Sequence, residues 1–178
     1  MTRETPGRHV FLVGFMGAGK STVGRMLADL LKRPFVDLDA RMEEQTGRSV
    51  AEVFVEAGEE AFRAIESETL ALLRGAEPSV VACGGGIVLL PENRHVLREL
   101  GTVVYLKVTA GEALARIGDV EGRPLLATGD PSAATTLLTA REGLYRAVAD
   151  LAFDTAGQDP GAIAARIADE LAIGGVVR

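Results

Sequence analysis

Eight residues near the N-terminus, Gly14 to Ser21, follow a short apolar run and precede a segment of helical period. They match the Walker A pattern, in which two fixed glycines are followed by a lysine and a hydroxyl residue. Glycines allow backbone N–H groups to converge on phosphate oxygens, and the helix that follows directs its positive end at the anion. An ordinary glycine-rich turn is the alternative, but it would require the lysine, the hydroxyl and the strand-loop-helix context to coincide by accident.

The motif therefore predicts a site for ATP with Mg²⁺. Lys20 is expected to bridge the β- and γ-phosphates, which makes it a catalytic candidate, and the Ser21 hydroxyl is expected to ligate the metal. The residues predicted to surround the phosphates are Gly17, Ala18, Gly19, Lys20, Ser21 and Thr22.

Short apolar runs alternate along the chain with longer segments of helical period. This pattern predicts an α/β fold with a parallel sheet covered by helices on both faces, because the runs are apolar throughout. At 178 residues the chain fits one domain. Gly118 to Pro131 is rich in glycine and proline, and we expect a mobile lid at about 112–130. The five predicted strands are Val10–Gly14, Phe35–Leu38, Val80–Cys83, Val103–Val108 and Leu151–Phe153.

Charge and composition exclude several classes of function. A net charge of −6 argues against nucleic acid as a partner, because binding a duplex requires an extended basic surface. The apolar run Val10–Phe15 is much shorter than a membrane span, and we expect no membrane association. Cys83 is the only cysteine, so no intrachain disulfide can form and a cytoplasmic location is expected.

Two carboxylates, Asp37 and Asp39, come at the end of the second predicted strand. Open α/β sheets bind ligands at this edge, and alternate residues of a strand point the same way, so both side chains can face one site. One would lie near the metal and the other near an acceptor hydroxyl. The alternative for Asp39 is that it caps the helix predicted over Ala40–Gln45.

Two further features are ambiguous by themselves. A helix is predicted over Gly58–Arg74, with Phe62, Ile65, Thr69 and Leu72 along the side expected to pack on the sheet. Arg63 and Glu66 are three residues apart on this helix, where they can pair; a surface ion pair is the commoner explanation. The Gly84–Gly86 triplet follows the third strand and can present backbone N–H groups to a ligand, although a tight turn requires no ligand.

Taken together and in order, these segments resemble the shikimate kinases over nearly the whole chain. The resemblance implies the fold of nucleoside monophosphate kinases among P-loop NTPases, and transfer of the ATP γ-phosphoryl group to the 3-hydroxyl of shikimate in aromatic amino acid biosynthesis. The segments that carry it are Gly14–Thr22, Asp37–Asp39, Phe62–Glu66, Gly84–Gly86, Arg123–Leu126 and Arg141–Tyr145.

The resemblance also implies roles for particular residues on the acceptor side. Asp39 contacts the ring hydroxyls and is a catalytic candidate, whereas Asp37 holds Mg²⁺ through water. Arg63 and Arg141 bind the shikimate carboxylate, and Gly85 adds a backbone contact. Phe54 and Phe62 line the pocket within a substrate-binding helical segment at about 39–66.

On the nucleotide side, the resemblance places Arg123 on the lid, where it reaches the phosphates and assists catalysis. Arg116 and Gln158 fall at the adenine end. Gly143 departs from the family, which often has proline there, and is expected to loosen the helix that carries Arg141. We expect a monomer.

Two other functions remain open. The first is that of another kinase of the same fold, acting on gluconate or a nucleoside monophosphate, because such kinases share the nucleotide motif. No set of residues that would bind a nucleobase specifically is recognisable. A nucleotide-dependent switch is the second, because Asp119-Val-Glu-Gly122 spells a D-x-x-G sequence.

Overall fold

A computed structural model describes residues 7–117 and 131–174. Within these ranges the chain forms five strands and seven helices. In chain order they are β1 (His9–Val13), α1 (Lys20–Leu31), β2 (Phe35–Asp37), α2 (Leu38–Thr46), α3 (Val50–Ala71), β3 (Val80–Ala82), α4 (Pro91–Leu100), β4 (Gly101–Lys107), α5 (Ala110–Ile117), α6 (Pro131–Val148), β5 (Leu151–Asp154) and α7 (Pro160–Ile173).

All five strands belong to one sheet in the order β2-β3-β1-β4-β5, and every pairing is parallel. Central strand β1 is buried along its whole length, and Phe11 lies opposite Val81 of β3 and Val103 of β4. The predicted five-stranded parallel sheet is therefore confirmed. Since parallel strands end at the same edge, the segments that follow β1, β2 and β3 meet there.

Side chains of β1 alternate between two apolar layers. Val10 and Leu12 pack with residues of α1, α5 and α7, whereas Phe11 and Val13 pack with residues of α3, α4 and α6. The sheet is thus covered by helices on both faces, as its uninterrupted apolar strands predict. No helix in residues 7–117 or 131–174 combines the length and the apolar character needed to span a membrane.

A smaller apolar cluster lies where α2 packs on α3. Met42, Val53 and Phe62 form its centre, and the start of α3 is fixed by a capping box between Ser49 and Glu52. Helix α3 is kinked at Gly58, whose φ of 82° and ψ of 168° are not helical. This explains why the sequence predicted a helix beginning only at Gly58.

One helical prediction differs from the structure, and two others stay predictions. Leu72, predicted on the buried side of its helix, is 53% exposed and lies one residue beyond the end of α3 at Ala71. Gly143 lies within the continuous helix α6, and the expected loosening of this helix stays a prediction. The predicted lid lies outside the described residues except at its beginning, where 112–117 belong to α5.

Candidate functional site

The phosphate-binding loop connects β1 to α1 at the centre of the sheet. Gly19 caps α1 with a φ of 88°, a left-handed conformation that favours glycine, and the cap makes no side-chain hydrogen bond. The Lys20 ammonium lies across the loop and donates to the carbonyls of Gly14 and Phe15, both at 2.9 Å. Because no side chain caps α1, the positive end of this helix can face an anion.

Ser21, at the start of α1, lies beside Asp37, at the end of β2. The Ser21 hydroxyl donates to Asp37 Oδ2 at 2.7 Å, and Asp37 Oδ1 accepts from the backbone N–H groups of Asp39 and Ala40. Asp37 is therefore the N-cap of α2, and the alternative that Asp39 caps the helix is wrong. The strand-alternation argument for Asp39 is also wrong, because β2 ends at Asp37 and Asp39 lies in the first helical turn.

Two pockets adjoin the phosphate-binding loop. One, of about 230 Å³, is lined by Lys20, Ser21, Asp37, Asp39 and the residues from Ala82 to Gly85, among others. The other, of about 380 Å³, is lined by residues that include Arg116, Thr155 and Gln158. Both include Gly17, Gly19 and Thr22, so they lie on either side of the loop and can hold two parts of one extended ligand.

Arg116 is anchored in the second pocket by three hydrogen bonds. It donates to the Gly17 carbonyl at 3.2 Å, to the Thr155 hydroxyl at 3.0 Å and to the Thr155 carbonyl at 2.7 Å. Gln158 lies in the same pocket and donates to the Asp154 carbonyl at 2.9 Å. The two residues assigned to the adenine end by resemblance therefore share one wall. Thr155, which holds Arg116, was missed by the sequence reasoning because a single threonine carries no motif.

Arg63 and Glu66 form a buried ion pair. Arg63 Nη1 donates to Glu66 Oε2 at 2.9 Å, with Arg63 7% and Glu66 3% exposed, so the surface-pair alternative is wrong. A second carboxylate, Glu59, lies 3.4 Å from Arg63 Nη2. Arg63 Nε and Glu66 Oε1 are buried without a hydrogen-bond partner among the described residues. The pair therefore retains hydrogen-bonding capacity beyond the bond that joins its two side chains.

Three charged side chains lie around Glu66. Burial raises the pKa of the Glu66 carboxyl, Arg63 and Arg141 oppose this rise, and Asp39 adds to it. Arg141 is itself 3% exposed although it carries a charge. The structure thus brings Arg63, Arg141 and Asp39 into one neighbourhood from α3, α6 and α2.

Aromatic side chains border this group. Phe54 and Phe62 are in edge-to-face contact, with ring centroids 5.5 Å apart. The Arg63 guanidinium carbon lies 5.0 Å from the centroid of the Phe62 ring. A polar ligand held here would have an apolar wall on one side.

The glycine triplet leaves space for the charged side chains. A Cβ at Gly84 would lie 2.8 Å from Glu66 Oε1 and 2.9 Å from Asp39 Oδ1, and a Cβ at Gly86 would overlap the Arg63 guanidinium. Gly85 is near the phosphate-binding loop, since a Cβ there would lie 3.6 Å from the Gly14 carbonyl oxygen and from the Met16 nitrogen. The sequence suggested exposed backbone donors, whereas the structure shows that close packing requires glycine at 84 and 86.

The Tyr145 hydroxyl donates to the Gly85 carbonyl, a contact that sequence reasoning also missed. The four-residue spacing from Arg141 was visible in the sequence and predicts that both side chains lie on one helix face. Arg123, predicted to act from the lid, lies outside the described residues.

Comparisons with known proteins agree with this geometry. A family model described as shikimate kinase matches residues 16–172. The shikimate kinase of Geobacter sulfurreducens is 47% identical over 159 residues, 89% of this chain and 87% of that protein. That of Halorhodospira halophila is 46% identical over 169 residues, 94% of this chain and 95% of that protein.

Solved structures match over almost the full length. A shikimate kinase from Acinetobacter baumannii in complex with shikimate has a TM-score of 0.90 at 37% identity and covers 96% of each chain. The predicted P-loop architecture of the nucleoside monophosphate kinase type is thereby confirmed. A gluconokinase from Sinorhizobium meliloti, with a TM-score of 0.59 at 22% identity, covers 97% of this chain and shares the fold alone.

Proposed function

Because the chain belongs to the shikimate kinase family, we propose that it transfers the γ-phosphoryl group of ATP to the 3-hydroxyl of shikimate, giving shikimate 3-phosphate and ADP. The observation that carries the proposal is the convergence of Arg63, Arg141 and Asp39 around Glu66, beside the pocket of the phosphate-binding loop. A small polyhydroxylated acid requires guanidinium groups for its carboxylate and a carboxylate for a hydroxyl proton.

The nucleotide is proposed to lie across both pockets. Its triphosphate contacts the backbone of Gly17–Thr22, with the Lys20 ammonium between the β- and γ-phosphates. Its adenine extends past Gly17 into the pocket lined by Arg116 and Gln158. Support comes from the loop residues that the two pockets share.

The residues at the Ser21–Asp37 contact fit Mg²⁺. Their oxygens are 2.7 Å apart, and Mg²⁺ binds such oxygen ligands in small number beside substrate phosphates. We infer that Ser21 ligates the ion and that Asp37 holds it through water. When bound, Mg²⁺ supplies positive charge that neutralises the phosphate oxygens. Asp37 is held in place because it also caps α2.

The acceptor is proposed to lie against Arg63, Arg141 and the Gly85 backbone. The two guanidinium groups bind its carboxylate, and Glu66 keeps Arg63 in place through the 2.9 Å bond. Phe54 and Phe62 pack against its ring. Asp39, at the start of α2, then orients the 3-hydroxyl and accepts its proton as the oxygen attacks the γ-phosphorus.

Lys20 stabilises the negative charge on the transferring phosphoryl group. In this proposal Arg123, on the lid at about 112–130, does the same. Closure of this lid excludes water that would otherwise hydrolyse ATP.

A cytoplasmic location and a monomeric state complete the proposal. Size-exclusion chromatography with light scattering tests the latter.

An acceptor screen tests the proposed function. ADP release is measured with shikimate, gluconate, AMP and CMP, and turnover is expected with shikimate. Turnover with a nucleotide alone would refute the assignment. Preference for GTP, with hydrolysis indifferent to any acceptor, would indicate the switch function instead.

Variants of α6 test the carboxylate contact. Arg141→Ala is expected to raise the KM for shikimate by roughly ten- to a hundredfold, the worth of a charged hydrogen bond, with the KM for ATP little changed. Arg146→Ala is the matched control, because Arg146 is on the same helix but exposed and paired with Glu142. An unchanged KM for shikimate in Arg141→Ala would contradict the contact.

A further inference from the structure

Tyr145 is entirely buried on α6, between the sheet and the glycine triplet. Its ring stacks on Tyr105 of β4, with centroids 5.2 Å apart and planes inclined by 25°. Its hydroxyl donates to the carbonyl of Gly85, 60 residues earlier in the chain. The hydroxyl therefore ties α6 to the turn after β3.

Arg141 lies one helical turn earlier on the same face of α6 and is also buried. Its charge and its side-chain hydrogen bonding both act to lower the pKa of Tyr145, so the guanidinium lies beside the hydroxyl. A guanidinium group can only donate, and a phenol hydroxyl can accept and donate at once. With its hydrogen directed at the Gly85 carbonyl, the Tyr145 hydroxyl can still accept from Arg141 through its oxygen.

We propose that Tyr145 is a positioning residue for acceptor binding, which sets the Arg141 guanidinium and the Gly85 turn in one geometry. The inference rests on the proposed function, because both groups are there assigned to the acceptor. Tyr145 itself acts through Arg141 and Gly85, so its contribution is to the affinity for the carboxylate and not to the chemical step.

Protonation of the hydroxyl is secured by its surroundings. Burial raises the pKa of Tyr145 to about 12, although Arg141 opposes the rise. The hydroxyl therefore remains a donor to Gly85 at any pH used in an assay, and its function requires no titration.

The first test is Tyr145→Phe, which retains the stacked ring and removes only the hydroxyl. The KM for shikimate is expected to rise about tenfold, since two hydrogen bonds of about 1 kcal/mol each are lost, partly offset by water. The kcat and the KM for ATP are expected to stay within about twofold. Tyr105→Phe is the matched control, because it removes the other hydroxyl of the stacked pair and leaves the Gly85 contact in place.

A double-mutant cycle with Arg141→Ala separates positioning from a general structural effect. If Tyr145 acts through Arg141, Tyr145→Phe in the Arg141→Ala background lowers kcat/KM for shikimate much less than it does in the wild type. The proposal would be overturned if the effects of the two substitutions on kcat/KM were fully additive or if Tyr145→Phe left the KM for shikimate unchanged. An equal loss of kcat/KM for shikimate and for ATP in Tyr145→Phe would also overturn it. If the wild type turns over no shikimate at all, the proposed function fails, which is a distinct result.

A second measurement applies should Tyr145→Phe fail to fold. The chain has two tyrosines, so 3-fluorotyrosine incorporated into Tyr105→Phe labels position 145 alone. Its ¹⁹F resonance is expected to shift on saturation with shikimate, because the hydroxyl's partner Arg141 then engages the carboxylate. A resonance that does not move would refute the inference.

Discussion

Replacing Gly86 with alanine tests whether the glycine triplet makes room for the acceptor-binding arginine. Gly86 is buried and does not have a positive φ, so alanine introduces no backbone strain. The added Cβ would overlap the guanidinium of Arg63, which is held by its 2.9 Å bond to Glu66. The arginine must therefore move away from its observed position.

The size of the effect follows from what Arg63 loses. A hydrogen bond to a charged group contributes about 1.5–3 kcal/mol, so the KM for shikimate is expected to rise roughly ten- to a hundredfold. Overpacking a close-packed site costs a further 1–3 kcal/mol or so in the free energy of unfolding. The KM for ATP should change little, because neither Gly86 nor Arg63 lines the two pockets proposed to hold the nucleotide.

Steady-state kinetics with each substrate varied, together with urea unfolding, measure these effects. Gly143→Ala is the control, since Gly143 is exposed on α6 and a Cβ there meets nothing within 4 Å. It should leave both KM values unchanged and stabilise the helix by about 0.5–1 kcal/mol. Wild-type KM for shikimate in Gly86→Ala would show that Arg63 does not need the space.

Three further predictions concern stability and the metal. Gly58→Ala should lower the free energy of unfolding by about 1–3 kcal/mol in urea, because its φ of 82° and ψ of 168° belong to a region that only glycine adopts readily; an unchanged midpoint would contradict this. Asp37→Ala should lower the free energy of unfolding by about 1 kcal/mol, because α2 loses its N-cap. It should also raise the Mg²⁺ concentration needed for half-maximal rate. An unaltered Mg²⁺ titration would show that Asp37 is not part of the metal site. Burial, with a smaller contribution from Arg33, lowers the pKa of His9 from its usual 6.5. Just below pH 6.5 the unfolded chain therefore binds more protons than the folded chain. The free energy of unfolding should fall by up to about 1.4 kcal/mol per pH unit as the pH drops below 6.5. His9→Gln should remove this dependence in unfolding titrations and exposed His95→Gln should not; the reverse result would exclude His9.

Most of the sheet and of the nucleotide side was predictable. The apolar runs identified all five strands to within a few residues, because a strand buried on both faces is apolar throughout. The phosphate-binding loop was equally easy to recognise, since its glycines, Lys20 and Ser21 lie within one short segment. Interactions between neighbours in sequence leave a local pattern.

Asp39 and Leu72 show where local reasoning failed. Both lie near the end of an element, at the β2–α2 junction and just beyond the end of α3. The position of such an end is decided by which carboxylate or carbonyl satisfies the backbone groups there, as Asp37 does for α2. The residue pattern along the chain does not reveal which group satisfies the backbone at the end of an element.

The sequence by itself determined the positions of the five strands along the chain, the phosphate-binding loop and, through its ordered motifs, the family. Only the tertiary structure decided that Arg63 and Glu66 are a buried pair, that Gly84 and Gly86 leave room for charged side chains, and that Tyr145 binds Gly85. Those contacts join residues from different elements. Whether a charge is buried, and beside what, depends on how the elements pack, which no single segment of the chain encodes.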